Sequence, residues 1–383
     1  MQDNKYAFKA QAFSAIELPV IAERKGSDWI NFGLDNLYPL LLIELFNNSA
    51  IHATSINAKT DAITGEGFKF FGDDVINSHG ETMDEVFAKL TLDYLLFGGY
   101  SLNLVWSKDG ENIAECYHLP FNNVRSGVMN EDEKVEEYYY SSNWTNTRKY
   151  KPVSYRAYST TDNKKENASQ IFYYYDYTVG NYYYPLPSYV AAINTIDTDS
   201  RISKFHRSSL QNGLSPSMML TFKNGIPTAD EQTQIWRDIE KTFAGESNAG
   251  KFFVNFSEPG REPTLEAITP ISDGYYVILG DRISSIILTS HRITSPMLLG
   301  IKDASGFSSN ADEIQTAFNH FMGTVIAPDQ KKLVKSFNKI INQMGRTVKL
   351  EVIPSNILYT VESGPDVGQI ATVAPDVNTD ITI

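Results

Sequence analysis

Cys116 and His118 stand two residues apart in a segment that reads as a strand, Ile113 to Leu119. Side chains at i and i+2 share one face of a strand, so a thiol and an imidazole there could form a nucleophile–base pair. No oxyanion loop or third orienting group accompanies them, and a lone cysteine is commonly a small buried hydrophobe. The remaining histidines, at positions 52, 79, 206, 291 and 320, are scattered and show no metal-ligand spacing such as HExxH. A single cysteine excludes an intrachain disulfide and a multi-cysteine metal centre. Gly98-Gly99 lacks the lysine of a phosphate-binding loop, and acidic pairs such as Asp73-Asp74 sit in turn contexts. The expectation is a chain without catalytic residues, metal or cofactor.

A second kind of chemistry is aromatic. Three tyrosine clusters, Tyr138-Tyr139-Tyr140, Tyr173-Tyr174-Tyr175 and Tyr182-Tyr183-Tyr184, fall in a β-rich stretch. Such a sheet can stack sugars or bases on a wet face, and it is equally what an ordinary half-buried sheet looks like. The run Glu131 to Glu137 between them reads as a solvated loop.

Composition bounds these readings. The chain has 383 residues, 42% hydrophobic and 21% charged, enough for two or three compact units and too apolar for a disordered polymer. Its 33 Lys+Arg against 46 Asp+Glu leave a net charge of −13, which argues against a protein that grips nucleic acid through its phosphates. That balance does not exclude a protein that must keep nucleic acid from sticking. No apolar run approaches the roughly 18 residues of a membrane span. The N-terminus MQDNKYAFKAQAF has no apolar signal core.

The elements that must position these residues follow from period and punctuation. Residues 37–64 read as helical, ending at Gly65-Glu66-Gly67. Thr82-Met83-Asp84-Glu85 is a capping box opening a helix that stops at Gly98-Gly99. Residues 100–106 read as a strand with Tyr100, Leu102, Leu104 and Trp106 on one face, turned back at Lys108-Asp109-Gly110. After Pro187 comes a helix over 188–211, then strands at Met218–Phe222, Lys251–Phe256 and Leu265–Ile268 around a helix over Thr228–Phe243. A second long helix runs from Asp273 to Thr294 and stops at Ser295-Pro296. A Gly/Ser loop follows, GIKDASGFSSN, and then a helix from Ala311 to Met344 that Pro328 should kink. Short strands are expected within 347–359, and an acidic tail free of Lys and Arg ends the chain.

Two long helices flanking a compact insert would project that insert like a knob on a stalk, a shape suited to side-by-side packing in a ring. An ordinary α+β domain with a helical hairpin would give the same pattern. At this point the sequence resembles the portal proteins of tailed bacteriophages, in particular the HK97/PBSX-like group. The pieces that carry the resemblance are Trp29-Ile30-Asn31-Phe32-Gly33 with Asp35-Asn36-Leu37-Tyr38-Pro39, Ile63-Thr64-Gly65-Glu66-Gly67-Phe68, and Phe97-Gly98-Gly99-Tyr100. They continue with His291-Arg292-Ile293-Thr294-Ser295-Pro296 and with Phe307-Ser308-Ser309-Asn310-Ala311, followed by Ile326-Ala327-Pro328. Together they span about residues 29–344 in the family's order.

The resemblance implies an α+β portal fold with a mixed α/β wing over 1–187, a first stem helix over 188–212 and an α/β clip over 213–272. A second stem helix over 273–298, a tunnel loop over 299–310, and a kinked helix with the rest of the wing over 311–360 would follow, then the tail 361–383 with the crown reduced or absent. It implies a ring, usually of twelve subunits, at one capsid vertex of a virion, assembled in the host cytoplasm without a membrane. Double-stranded DNA would pass through it during packaging and ejection. Its other partners would be the terminase large subunit, the major capsid protein and the head–tail adaptor.

Lys302, Asp303, Ala304, Ser305, Gly306, Phe307 and Ser308 would face DNA, with Lys302 opposed by Asp303 and Phe307 anchoring the loop. Arg201, Lys204, Arg207 and Arg282 on the stem would face the channel or neighbouring subunits, although surface charge explains each equally well. A carbohydrate- or surface-binding protein using the tyrosine-rich sheet, and a hydrolase whose site the motifs do not identify, are the competing readings; turnover lost on Cys116→Ala or His118→Ala would favour the second.

Overall fold

The computed structural model describes residues 19, 27–161, 168–211, 218–222, 228–234, 237, 252–256, 264–267, 273–299 and 311–354. The expected helix over 37–64 is two helices, α1 (Tyr38–Asn48) and α2 (Ala50–Thr64). Ser49 divides them: its backbone is extended, and its hydroxyl accepts the His52 N–H as the N-cap of α2. Inside α2, Ser55, Thr60 and Thr64 donate their hydroxyls back to carbonyls four residues earlier, which lets polar side chains occupy a helix that is partly inside the core.

Helix α3 (Met83–Phe97) begins with the expected capping box. The Thr82 hydroxyl accepts the Glu85 N–H at 3.2 Å, and the Glu85 carboxylate accepts the Thr82 N–H at 2.9 Å. It ends at Gly98, which takes the left-handed conformation (φ +86°) that reverses the chain into the first strand. Val86, Phe87, Leu90, Tyr94 and Leu95 form its buried stripe.

The main sheet has six strands in the order β2-β1-β6-β5-β4-β3: β1 (Gly99–Trp106), β2 (Ile113–Leu119), β3 (Val124–Ser126), β4 (Glu137–Tyr140), β5 (Val153–Ala157) and β6 (Ser169–Tyr175). The β1–β2 hairpin pairs Ser101 with Leu119 and Leu104 with Cys116, and Tyr100, Leu102, Leu104 and Trp106 are all buried as their alternation predicts. Strand β6 lies against the other edge of β1 and pairs with β5 in parallel, a non-local arrangement that no hairpin signal announces. Several of the tyrosines stack inward, whereas Tyr182 is 71% exposed. Tyr173 lies 4.7 Å from Tyr138 and 4.9 Å from Phe121, and Tyr184 stacks on Phe32 at 4.1 Å between ring centres.

Helix α4 (Ile193–Gln211) follows a short 3-10 turn and leads to a separate three-stranded sheet of β7 (Met218–Phe222), β8 (Phe252–Phe256) and β9 (Thr264–Ala267), ordered β8-β7-β9. Helix α5 (Asp273–Ser290) returns to the body and packs on α4. Ile193, Ile196 and Ser200 of α4 and Ile283 and Ile287 of α5 are buried in this region. The expected helix end at Thr294 comes earlier, because Arg292 takes a left-handed conformation (φ +60°) after Ser290.

The long helix expected over 311–344 is three segments: α6 (Ala311–Phe321), a π-helical stretch Met322–Ile326, and α7 (Ala327–Gln343). The interruption therefore precedes Pro328, which sits in the first turn of α7 where a missing N–H costs little. Pro328 has no N–H to offer the Thr324 carbonyl four residues back, and Arg292 Nη2 donates to that carbonyl at 2.9 Å. Leu333, Phe337, Ile340 and Ile341 make the buried face of α7, and Phe337 meets Phe87 and Phe68. Burying a side chain such as Phe337 contributes about 1.5–3 kcal/mol. Instead of the expected strands after 347, the described part of that segment makes an isolated bridge, Val352 to Phe68. The acidic tail lies outside the described residues.

Candidate functional site

The residues singled out as facing a channel divide into two groups. Lys302, Asp303, Ala304, Ser305, Gly306, Phe307 and Ser308 lie outside the described residues. On α4, Arg201 pairs with Asp197 one turn earlier at 2.6 Å, and Lys204 reaches Glu44 of α1 at 3.2 Å. Lys204 thus ties the helix to the body. Pairs this exposed are worth at most about 1 kcal/mol each. Arg207 on α4 and Arg282 on α5 are exposed.

The thiol–imidazole pair does not form. Cys116 is fully buried in the core, and burial pushes its thiol well above the ordinary cysteine range, so it stays protonated. His118 Nε2 lies 2.8 Å from Asp93 Oδ2, whose same oxygen accepts the Phe121 N–H at 2.9 Å. Asp93 of α3 therefore holds both the end of β2, through the imidazole, and the segment after it, through the Phe121 amide.

What the fold does assemble is a polar junction around a cavity of about 290 Å³, where α2, α3, the residues after β6, the end of α5 and the start of α7 meet. Lys59 of α2 projects into it with its side chain only 4% exposed, its Nζ 3.9 Å from Asp329 Oδ2 of α7. Burial lowers the Lys59 pKa, Asp329 raises it, and the nearby Arg292 guanidinium lowers it further. Tyr94 of α3 donates to Asp176 Oδ2 at 2.7 Å, and Lys332 of α7 reaches the same oxygen at 2.6 Å. Tyr174 donates to Oδ1 at 3.2 Å. These donors hold the Asp176 carboxyl below its usual range despite partial burial.

Beside the cavity, His52 Nδ1 and His291 Nε2 are 2.9 Å apart, and both rings pack against buried Tyr189. Among the described residues, His52 Nε2 has no hydrogen-bond partner. The arrangement costs least with the proton on Nδ1, donated to His291, because an orphaned lone pair is cheaper than an orphaned buried N–H. Desolvation depresses both imidazoles, His52 to about 4, so both are neutral at pH 7.

No local pattern in the sequence announces this junction. His291-Arg292 belongs to the motif that carries the family resemblance, and nothing in the amino-acid order links it to Lys59 or Asp329. A signal was present: positions 52, 55, 56, 59, 62 and 63 form one helical stripe in which His52, Ser55 and Lys59 alternate with apolar residues, and all six are buried.

No family model matches the chain. An uncharacterised protein of Rickettsia bellii (strain RML369-C) is 27% identical over 169 residues, which is 44% of this chain and 40% of the relative's length. Among solved structures, a chain of the native gene transfer agent virion superposes with a TM-score of 0.54 at 16% identity, covering 83% of this chain and 84% of that one. A chain from the neck of the native gene transfer agent particle, computed with C12 symmetry, gives 0.54 at 16% identity, over 84% and 85%. An HK97 family phage portal protein from Corynebacterium diphtheriae gives 0.47 at 13% identity, over 82% of this chain and 94% of that one. The likeness is one of fold: the chain has an α+β fold shared with a chain of the native gene transfer agent virion and with a chain of its particle neck.

Proposed function

We propose that this chain is the subunit of a ring-shaped portal at one vertex of a phage-like capsid, a channel through which double-stranded DNA enters and leaves. The observation that carries the reading is the fold likeness over more than four-fifths of both chains, to a protein seen in a particle neck. Residues 1–187 and 311–360 are the wing, α4 and α5 the stem, 213–272 the clip and 299–310 the tunnel loop. The ring has twelve subunits, the clip meets the terminase large subunit and the head–tail adaptor, and the wing meets the major capsid protein.

The chemistry of the chain supports a conduit over a binder. Each phosphate contact adds salt-dependent affinity that would stall sliding DNA, and a net charge of −13 works against such contacts. The inward stacking of Tyr138, Tyr173 and Tyr184 leaves the sheet poorly disposed to hold a sugar or a base.

The test is assembly. Sedimentation and negative-stain images of the purified chain are expected to give large rings with a central hole. A chain that stays monomeric at high concentration across all salt conditions overturns the reading. Deleting residues 304–309 should then leave rings intact and impair DNA packaging; rings lost on deletion would reassign that loop to assembly.

A further inference from the structure

Lys59 carries three N–H donors on a side chain only 4% exposed, and its ion partner among the described residues, Asp329, is at 3.9 Å. That is an ion-pair distance, well past the 2.7–3.2 Å of a hydrogen bond. An ammonium buried this deeply is expensive unless its donors are matched. The other carboxylate lining the cavity, Asp176, is engaged by Tyr94, Tyr174 and Lys332. Lys59 faces the cavity, whose size is near the lower end of small-molecule pockets, about 300 Å³.

The mouth of the same cavity carries two more cations. Arg292 is exposed, and its guanidinium is steadied by the Thr324 carbonyl. Its left-handed backbone is uncommon for a residue with a side chain and is held by a bond from its N–H to the Thr289 carbonyl. Lys332, about half exposed, stands on α7 beside Asp329. Lys59, Arg292 and Lys332 therefore line one concavity against Asp176 and Asp329, with the innermost cation the least well paired. Three cations against two carboxylates leave one positive charge in excess, which favours an anion in the concavity.

We propose that this cavity is a binding site for a small oxyanion of the phosphate class, held by Lys59 at its inner end and by Arg292 and Lys332 at its mouth. An oxyanion there supplies the acceptors Lys59 lacks and relieves the repulsion between Lys59 and Arg292. It would bridge α2, α7 and the end of α5, coupling ligand occupancy to the junction between a long helix and the body. This inference stands apart from the portal reading, since it requires neither a ring nor DNA.

Calorimetric titration of the full chain with inorganic phosphate, at ionic strength held constant with chloride, tests it. Wild type is expected to bind phosphate and to melt at a higher temperature in its presence. Lys59→Met, of similar length and able to fill the same space, should lose about ten- to hundredfold in affinity, the worth of a charged hydrogen bond. Arg292→Gln, at the surface, should lose a smaller part and serves as the readout if Lys59→Met does not fold. No phosphate heat in wild type, or unchanged affinity in Arg292→Gln and in a folded Lys59→Met, overturns the proposal. A short DNA duplex should not compete, because Lys59 lies too deep for a duplex backbone; competition would overturn the assignment to a free anion.

Discussion

Arg125 offers the sharpest test of how the body is held together. Its side chain is fully buried, and among the described residues no carboxylate pairs with it. The guanidinium instead donates to the Asn36 side-chain oxygen, and to the carbonyls of Asn36, Asn122 and Val124 at 2.8 Å each. It also lies 4.8 Å from the Trp144 ring centre. Burial lowers its pKa to about 10, a direct sign that the charge is costly there.

Replacing it in Arg125→Met removes four hydrogen bonds to a charged donor. At about 1.5 kcal/mol each, the low end for such bonds, they amount to about 6 kcal/mol. Part of that is recovered because a charge no longer has to be desolvated, a cost of several kcal/mol. The net loss should be about 3 kcal/mol.

A chain of this size need not unfold in two states, so local hydrogen exchange is the better assay. The amides of Ile30, bonded to the Ser126 carbonyl at 2.8 Å, and Phe32, bonded to Asn36 Oδ1 at 3.0 Å, report on this corner. A loss of about 3 kcal/mol should speed their exchange about a hundredfold. Arg125→Lys should be nearly as damaging, since one ammonium cannot reproduce the fork. Protection within about fivefold of wild type in Arg125→Met would refute the reasoning, because the hydrogen bonds would then add nothing beyond the methylene packing.

Acid should loosen the junction before it unfolds the rest. His52 and His291 have folded pKa values below the unfolded 6.5, so as the pH falls below 6.5 the unfolded chain takes up protons first and stability drops, by up to about 1.4 kcal/mol per pH unit for each histidine. Denaturant midpoints of wild type and of His52→Asn between pH 7 and pH 5 should diverge in slope; parallel curves would show that the pair is not the sensor. Gly98→Ala should destabilise the α3–β1 turn by at least about 1–2 kcal/mol, because φ is +86° and the added Cβ would sit 2.7 Å from the Leu186 carbonyl oxygen. An unshifted melting temperature would contradict this. Pro328→Ala restores an N–H opposite the Thr324 carbonyl and should convert the π-helical stretch 322–326 towards α-helix, visible in a structure of the variant. A persisting π segment would assign it to packing of Phe321, Val325 and Ile326 instead.

Local signals were legible in the amino-acid order because they act over a few residues. The capping box at Thr82–Glu85, the left-handed stop at Gly98, the β1–β2 hairpin and the succession of long helix, small sheet and long helix all follow from caps, turns and periodicity. The resemblance drawn from the order of those pieces agrees with the fold the chain adopts. What the order could not show are outcomes of packing between distant segments. Ser49 splits one apolar run into two helices; β6 inserts between β1 and β5; a π-helical stretch precedes Pro328. His52 meets His291 across 239 positions, and Lys59 meets Asp329 across the cavity. Polar residues on a helix read as a solvated face until the tertiary fold turns that face inward. Only then do their charges, desolvated and unequally paired, become a site.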